Sequence, residues 1–245
     1  MKSARYQRRF YRDWIKKGEL YLTHILAKET DVEILTNKAI DQQFAEERIQ
    51  QYRLEIEHYI TRDSRFLTSL KPINVEFNAP AIVKEMANQS RKVNVGPMAS
   101  VAGAIAEFLG KDLLKHGYRE VIVENGGDIF LKTQKSRKVG FYAGRSKVWN
   151  RLGLKIMPKD TPLGICTSSG TIGHSLSFGS ADSVVILSKS VTLADAVATA
   201  TCNRVNSKSD LQKALDFAKS IAGVLGVVII MKNNLVSWGK VEFAD

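Results

Sequence analysis

Cysteine is scarce in this chain: Cys166 and Cys202 are the two in 245 residues. No disulfide framework can therefore hold the fold, and the count suits a reducing compartment. Long apolar runs are missing too. None reaches the roughly 18 residues that a membrane-spanning helix requires. The first 18 residues carry positive charge but no apolar stretch behind it, and no cysteine near the start could take a lipid. Together these absences predict a cytoplasmic protein with no membrane partner. Neither a Gly-x-x-x-x-Gly-Lys-Ser/Thr phosphate loop nor a dinucleotide Gly-x-Gly-x-x-Gly occurs.

Acidic residues fall short of basic ones, 25 against 36, for a formal net charge of +11. The imbalance is concentrated at the start. Lys2, Arg5, Arg8, Arg9, Arg12, Lys16 and Lys17 stand against Asp13 alone, with Tyr6, Phe10, Tyr11 and Trp14 interleaved. Such an arm (residues 1–18) reads first as an amphipathic edge segment that docks its aromatics and turns its charges to water. A nucleic-acid contact is the alternative, since a basic stripe alone is weakly specific. The 44% hydrophobic and 25% charged content of the whole is globular.

Residues 19–245 are expected to form one domain. Alternating β-rich segments at 19–27 and 31–36 predict a hairpin. Apolar spacing over 41–60 predicts a helix. Asn78 with Pro80 opens another, to about residue 90. A third runs from Met98 to His116 and is closed by Gly117. Its Gly103 and Gly110 suit close packing. Residues 120–124 and 129–132 flank Asn125-Gly126-Gly127-Asp128, the sharpest hairpin signal in the chain. Strands are expected at 139–143, 152–157, 164–167 and 182–188. Helices follow at 193–202 and 209–222, and a closing hairpin at 227–231 and 235–238 turns across Asn233-Asn234. The order strand–strand–helices–strand–strand over 19–132 recurs over 139–238. The pattern predicts an α+β fold of two ββααββ pseudo-repeats with antiparallel sheets backed by helices.

Three segments could carry chemistry. Asp195 and Thr199 are four apart and share a helical face. A carboxylate and a hydroxyl there offer hard oxygen ligands to Mg2+. Alternatively Thr192 and Asp195 form an N-terminal capping box. The polar stretch from Thr167 through Ser168, Ser169 and Gly170 to His174 could present backbone N–H groups to a phosphate, or be an ordinary long turn. His174 has the pKa range of a general base. His24, His58 and His116 read as structural, and both cysteines as small buried hydrophobes.

Taken in order, three motifs resemble the ApbE-type flavin transferases. They are Glu124-Asn125-Gly126-Gly127-Asp128-Ile129, Cys166-Thr167-Ser168-Ser169-Gly170, and Ala194-Asp195-Ala196-Val197-Ala198-Thr199-Ala200. Upstream, Gly96-Pro97-Met98-Ala99 sits where that family has a Gly-Gly-x-Ala turn. The chain looks most like the family's cytoplasmic ApbE-like group, which shares the Val95-to-Ala99 segment and the Thr-Ser-Ser-Gly-Thr stretch. The resemblance implies a duplicated strand–strand–helix–helix–strand–strand fold with a flavin site between the halves. It implies FAD and Mg2+, and transfer of FMN to a Ser or Thr hydroxyl of an acceptor protein with release of AMP. By position, Asp195, Thr199 and the Ala99 carbonyl would hold the metal. Gly126, Gly127 and Asp128 with Thr167, Ser168, Ser169 and Gly170 would line the flavin nucleotide, and His174 would act as base beside Asp195.

The chain departs from that family at four places. Asn94 and Ser100 replace an Asp and a Lys around the upstream turn, and Glu124 replaces an Asn. The segment after His174 lacks the family's Pro and Arg. Losing two cations keeps two other functions in view: a non-catalytic binder of a flavin or similar phosphorylated ligand, and a basic-arm module for nucleic acid or protein. An oligomer is compatible with each.

Overall fold

The computed structural model describes residues 19–141, 149, 152–170 and 179–244. The basic arm and His174 lie outside the described residues. Eleven strands appear among the described residues, with six α-helices between some of them. In chain order they are β1 (Tyr21–Ala27), β2 (Thr30–Thr36), α1 (Gln42–Arg62), α2 (Arg65–Thr68), α3 (Ala81–Arg91), α4 (Val101–Lys115), β3 (Val121–Asn125), β4 (Asp128–Lys132), β5 (Arg137–Gly140), β6 (Gly153–Ile156), β7 (Leu163–Ser168), β8 (Ser183–Ser188), α5 (Val191–Cys202), α6 (Leu211–Ser220), β9 (Val224–Met231), β10 (Asn234–Gly239) and β11 (Phe243–Ala244).

Eight strands form one sheet, ordered β1-β2-β3-β4-β7-β8-β9-β10. Every pairing in it is antiparallel. A second, three-stranded sheet, β11-β6-β5, covers part of its other face. The α+β class with antiparallel sheets backed by helices is as the sequence predicts.

The central strands are apolar on both faces, for a visible reason. Val184 and Ile186 of β8, and Val227 and Ile229 of β9, point into the core shared with α4, α5 and α6. Their neighbours Val185, Leu187, Val228 and Ile230 point into a second core toward the small sheet. The period-2 alternation of side chains thus loads two cores at once, and the strands read as continuous hydrophobic runs. A third cluster, from Tyr52, Ile56, Ile82, Met86 and Ile105, welds α1 and α3 to α4.

Several boundaries differ from the sequence expectation. The stretch from Met98 is two elements, a 3-10 turn over Pro97–Ser100 followed by α4. The residues before α6 form a separate turn, Lys208–Asp210, closed by a Ser207–Asp210 capping box. In the closing hairpin Asn234 pairs with Met231, so the turn falls at Lys232 and Asn233. Lys232 takes the positive φ there, 55°.

Candidate functional site

The site begins at a turn. Gly126 and Gly127 have φ of 68° and 101°, and Asn125 faces Asp128 as the last pair of the β3–β4 ladder. Positive φ at both central residues is what a two-residue I′ hairpin demands. Glu124 Oε1 accepts the Gly127 N–H at 2.7 Å, and the Asn125 Nδ2 donates to the Ala102 carbonyl at 3.1 Å. The turn is thereby tied to the start of α4.

That start meets α5. The Gly103 N–H donates to Asp195 Oδ2 at 2.9 Å. In the other direction, Glu107 Oε2 accepts the Thr192 N–H at 2.8 Å, the Thr192 hydroxyl at 2.9 Å and the Ser190 hydroxyl at 3.1 Å. Each helix lends a carboxylate to the first turn of the other, where unpaired N–H groups and the helix dipole favour negative charge. Glycine makes this possible. A Cβ on Gly103 would stand 2.7 Å from Asp195 Cβ and 2.8 Å from the Val191 carbonyl oxygen.

The capping-box alternative is corrected here. Helix α5 starts two residues earlier than the sequence suggested, and its N-cap is Ser190, whose hydroxyl accepts the Leu193 N–H at 3.2 Å. Asp195 is therefore a full turn inside α5, free of any duty to that helix's own end.

Asp128 lies opposite Cys166 across the β4–β7 ladder. The Cys166 thiol donates to the Val191 carbonyl at 3.4 Å. Turn, sheet and helix therefore converge on two acids, Asp128 at 6% and Asp195 at 9% exposure. Burial pushes the Asp195 carboxyl up to about 7, opposed by the Gly103 N–H. The Asp128 carboxyl is driven well above the ordinary range, first by burial, then by the charges of Asp195 and Glu124. Hydrogen bonds at Cys166 and Thr167 offset this in part. Asp128 Oδ1 has no hydrogen-bond partner among the described residues. Burial raises the Cys166 thiol as well, with Asp128 and Asp195 adding to it, so this cysteine is held as an unreactive thiol.

Thr199 follows Asp195 by one turn and is buried. The 3-10 turn that carries Ala99 packs against α5, the helix that carries Asp195 and Thr199. Of the residues expected to line a flavin nucleotide, Gly126, Gly127 and Thr167 stand in the turn and strand expected of them, and Ser168 is strand where a loop was expected. Thr167 and Ser168 belong to β7, opposite Val185 and Val184, because pairing with β8 extends the strand into the hydroxyl-rich stretch. The Gly170 N–H is committed to the Ala181 carbonyl at 2.9 Å. A Cβ on Gly127 would lie 3.7 Å from the Thr167 carbonyl oxygen, so the Gly-Gly turn does abut this strand. Gly103 is the close-packing position that the sequence suggested, but its bond to Asp195 and the whole role of Glu107 were missed by sequence reasoning.

Among the described residues, no group of three or more His, Cys, Asp or Glu is arranged to hold a metal. Cavities of about 500 and 400 Å3 lie elsewhere. One is against α6 and the β9–β10 hairpin, the other between β6, β8 and the chain after β10. Among the described residues, no helix is long and apolar enough to cross a membrane.

The chain as a whole is similar to known proteins. A family model described as "AbpE bacteria" matches residues 12–242. A UPF0280 protein of Methanocaldococcus jannaschii is 41% identical over 233 residues, covering 93% of this chain and 92% of that protein. A UPF0280 protein of Methanococcus aeolicus is 45% identical over 201 residues, covering 80% and 81%. Among solved structures, the apo flavinyl transferase ApbE of Pseudomonas stutzeri aligns with a TM-score of 0.60 at 12% identity, covering 90% of this chain and 94% of that one. The ApbE protein of Thermotoga maritima aligns at 0.53 and 13% identity, covering 91% and 96%. These two likenesses establish a shared fold.

Proposed function

Because the chain belongs to the AbpE bacteria family, we propose that it is a Mg2+-dependent flavin-nucleotide transferase acting on FAD. Its fold is that of a protein named as a flavinyl transferase. The observation that carries the proposal is the buried Asp195, held by the Gly103 N–H beside Asp128.

The residues fit the ion. The Asp195 carboxylate, the Thr199 hydroxyl and the Ala99 carbonyl are all hard oxygen donors, the set that Mg2+ selects. The charge of Asp195 bears on Asp128, whose buried Oδ1 has no hydrogen-bond partner among the described residues. When bound, the cation would neutralise phosphate charge as the transferred phosphoryl group changes partners. The chain's own part is to orient and exclude water. The Gly126-Gly127 turn allows close backbone approach, and Gly127 abuts Thr167. In the reaction, an acceptor hydroxyl forms a bond to the FMN phosphorus as the bond to the AMP phosphate breaks. AMP leaves, and the hydroxyl proton passes to a base, the role assigned to His174.

A second function, non-catalytic binding of a flavin or similar phosphorylated ligand, has one observation in its favour. The Glu124 carboxylate occupies the Gly127 N–H. Likewise the Ser100 hydroxyl, at the position of the family's Lys, is turned inward to the Pro97 carbonyl and Ser90. Neither group offers a phosphate a positive contact.

Incubation with FAD, Mg2+ and a hydroxyl-bearing acceptor protein separates the two. Chromatographic release of AMP, abolished by Asp195→Asn, supports the transferase. FAD binding without AMP supports the binder. Absence of FAD binding with and without Mg2+ overturns both.

A further inference from the structure

We propose that Asp128 supplies a second carboxylate to the divalent cation assigned above to Asp195 and Thr199, through its Oδ1 atom; this rests on that metal assignment. Three features converge. Asp128 is fixed by both neighbouring strands, paired with Asn125 of β3 at the tight turn and with Cys166 of β7. Cys166 is bonded to Val191, one turn before Asp195 in α5, and Asn125 is bonded to Ala102, next to the Gly103 that holds Asp195. Two independent tethers therefore bring the Asp128 carboxyl to the Asp195 side of α5.

The third feature is the orphan itself. A buried carboxyl oxygen without a partner costs folding free energy whichever form it takes. An ionised oxygen there lacks a donor, and a protonated one lacks an acceptor. Protonation alone thus does not satisfy Oδ1. A cation satisfies it directly, and removes the repulsion between two acids in a low-dielectric junction.

The coordination count agrees. Two carboxylates, one hydroxyl and one carbonyl make four protein oxygens, and an octahedral Mg2+ keeps two positions for water or phosphate. Two carboxylates also balance the ion's charge before any nucleotide arrives. The cation is therefore expected to bind the protein alone, ahead of the flavin nucleotide.

The test uses the full chain without flavin, with Mn2+ as the probe. Free Mn2+ is followed by electron paramagnetic resonance, and the thermal midpoint is recorded with and without Mn2+. The wild-type protein is expected to take up one Mn2+ and to unfold at higher temperature with it. Asp128→Asn, which keeps shape and removes charge, is expected to weaken uptake at least tenfold and to lose the thermal shift. Asp195→Asn is expected to do the same. Should Asp128→Asn fail to fold, Asp128→Ser is read in the same way. Wild-type uptake by Asp128→Asn, with loss in Asp195→Asn, overturns this inference and leaves the metal assignment intact. No uptake by the wild-type protein overturns both.

Discussion

Glu107 and Asp195 each sit at the start of the helix that does not carry them. Glu107, in α4, gathers the Ser190 and Thr192 donors of α5, and Asp195, in α5, takes the Gly103 N–H of α4. This exchange locks two helix N-termini together and leaves a buried acid beside the sheet.

Gly103→Ala tests how tight the lock is. On helix propensity alone the change would stabilise α4 by about 0.5–1 kcal/mol. The new methyl would instead fall 2.7 Å from Asp195 Cβ and 2.8 Å from the Val191 carbonyl oxygen, atoms that cannot rotate away. Urea denaturation should show a net loss of about 1–3 kcal/mol, the cost of overpacking. A net gain would mean that the two helices part easily.

Glu107 gives a graded series. Its carboxylate receives three hydrogen bonds from α5 and pairs with Lys111 at 2.6 Å. Glu107→Ala strands the Thr192 N–H and should cost about 2–3 kcal/mol in chemical denaturation. Glu107→Gln retains an acceptor in the same place and should lose less than half of that.

Asp195 predicts a pH dependence with a definite sign. Its folded pKa, about 7, exceeds the ordinary 3.8, so between these values the folded chain keeps a proton that the unfolded chain has released. The stability contribution is whole below the unfolded pKa and is lost as pH rises through the folded one. Asp128, Glu124 and the Cys166 thiol face this region from the sheet and Glu107 from α4. Asp128, raised in the same direction, adds to the slope. With chelator present, the urea midpoint should fall from pH 4.5 to pH 7.5 by more in the wild-type protein than in Asp195→Asn. Equal slopes in the two proteins would place the Asp195 pKa at its ordinary value.

What could be foreseen from the chain was what its local rules decide. Asp41, Pro80 and Gly117 mark helix ends that the structure keeps. The Gly126-Gly127 turn was legible because only glycine takes both angles cheaply. The Asp195–Thr199 face followed from helical geometry. The Gly103–Asp195 bond joins residues 92 apart, and Glu107 meets Thr192 across 85; no local spacing announces either. Ser168 reads as loop by its hydroxyl-rich neighbours, yet pairing with Val184 draws it into a strand. Strand β11 is two residues long and exists through β6 alone.

The Asp128–Cys166 pair sits in the ladder where β4 meets β7, four residue pairs that join the first four strands of the large sheet to the last four. Ala99, Gly103 and Asp128 come from one side of that seam, and Cys166, Asp195 and Thr199 from the other. Neither portion of the chain would by itself own the proposed set of oxygens. An ion seated there would recognise only a chain whose two portions have already zipped together, so its binding energy would fall entirely on the finished molecule. By mass action, the concentration of such an ion would set how often the seam opens.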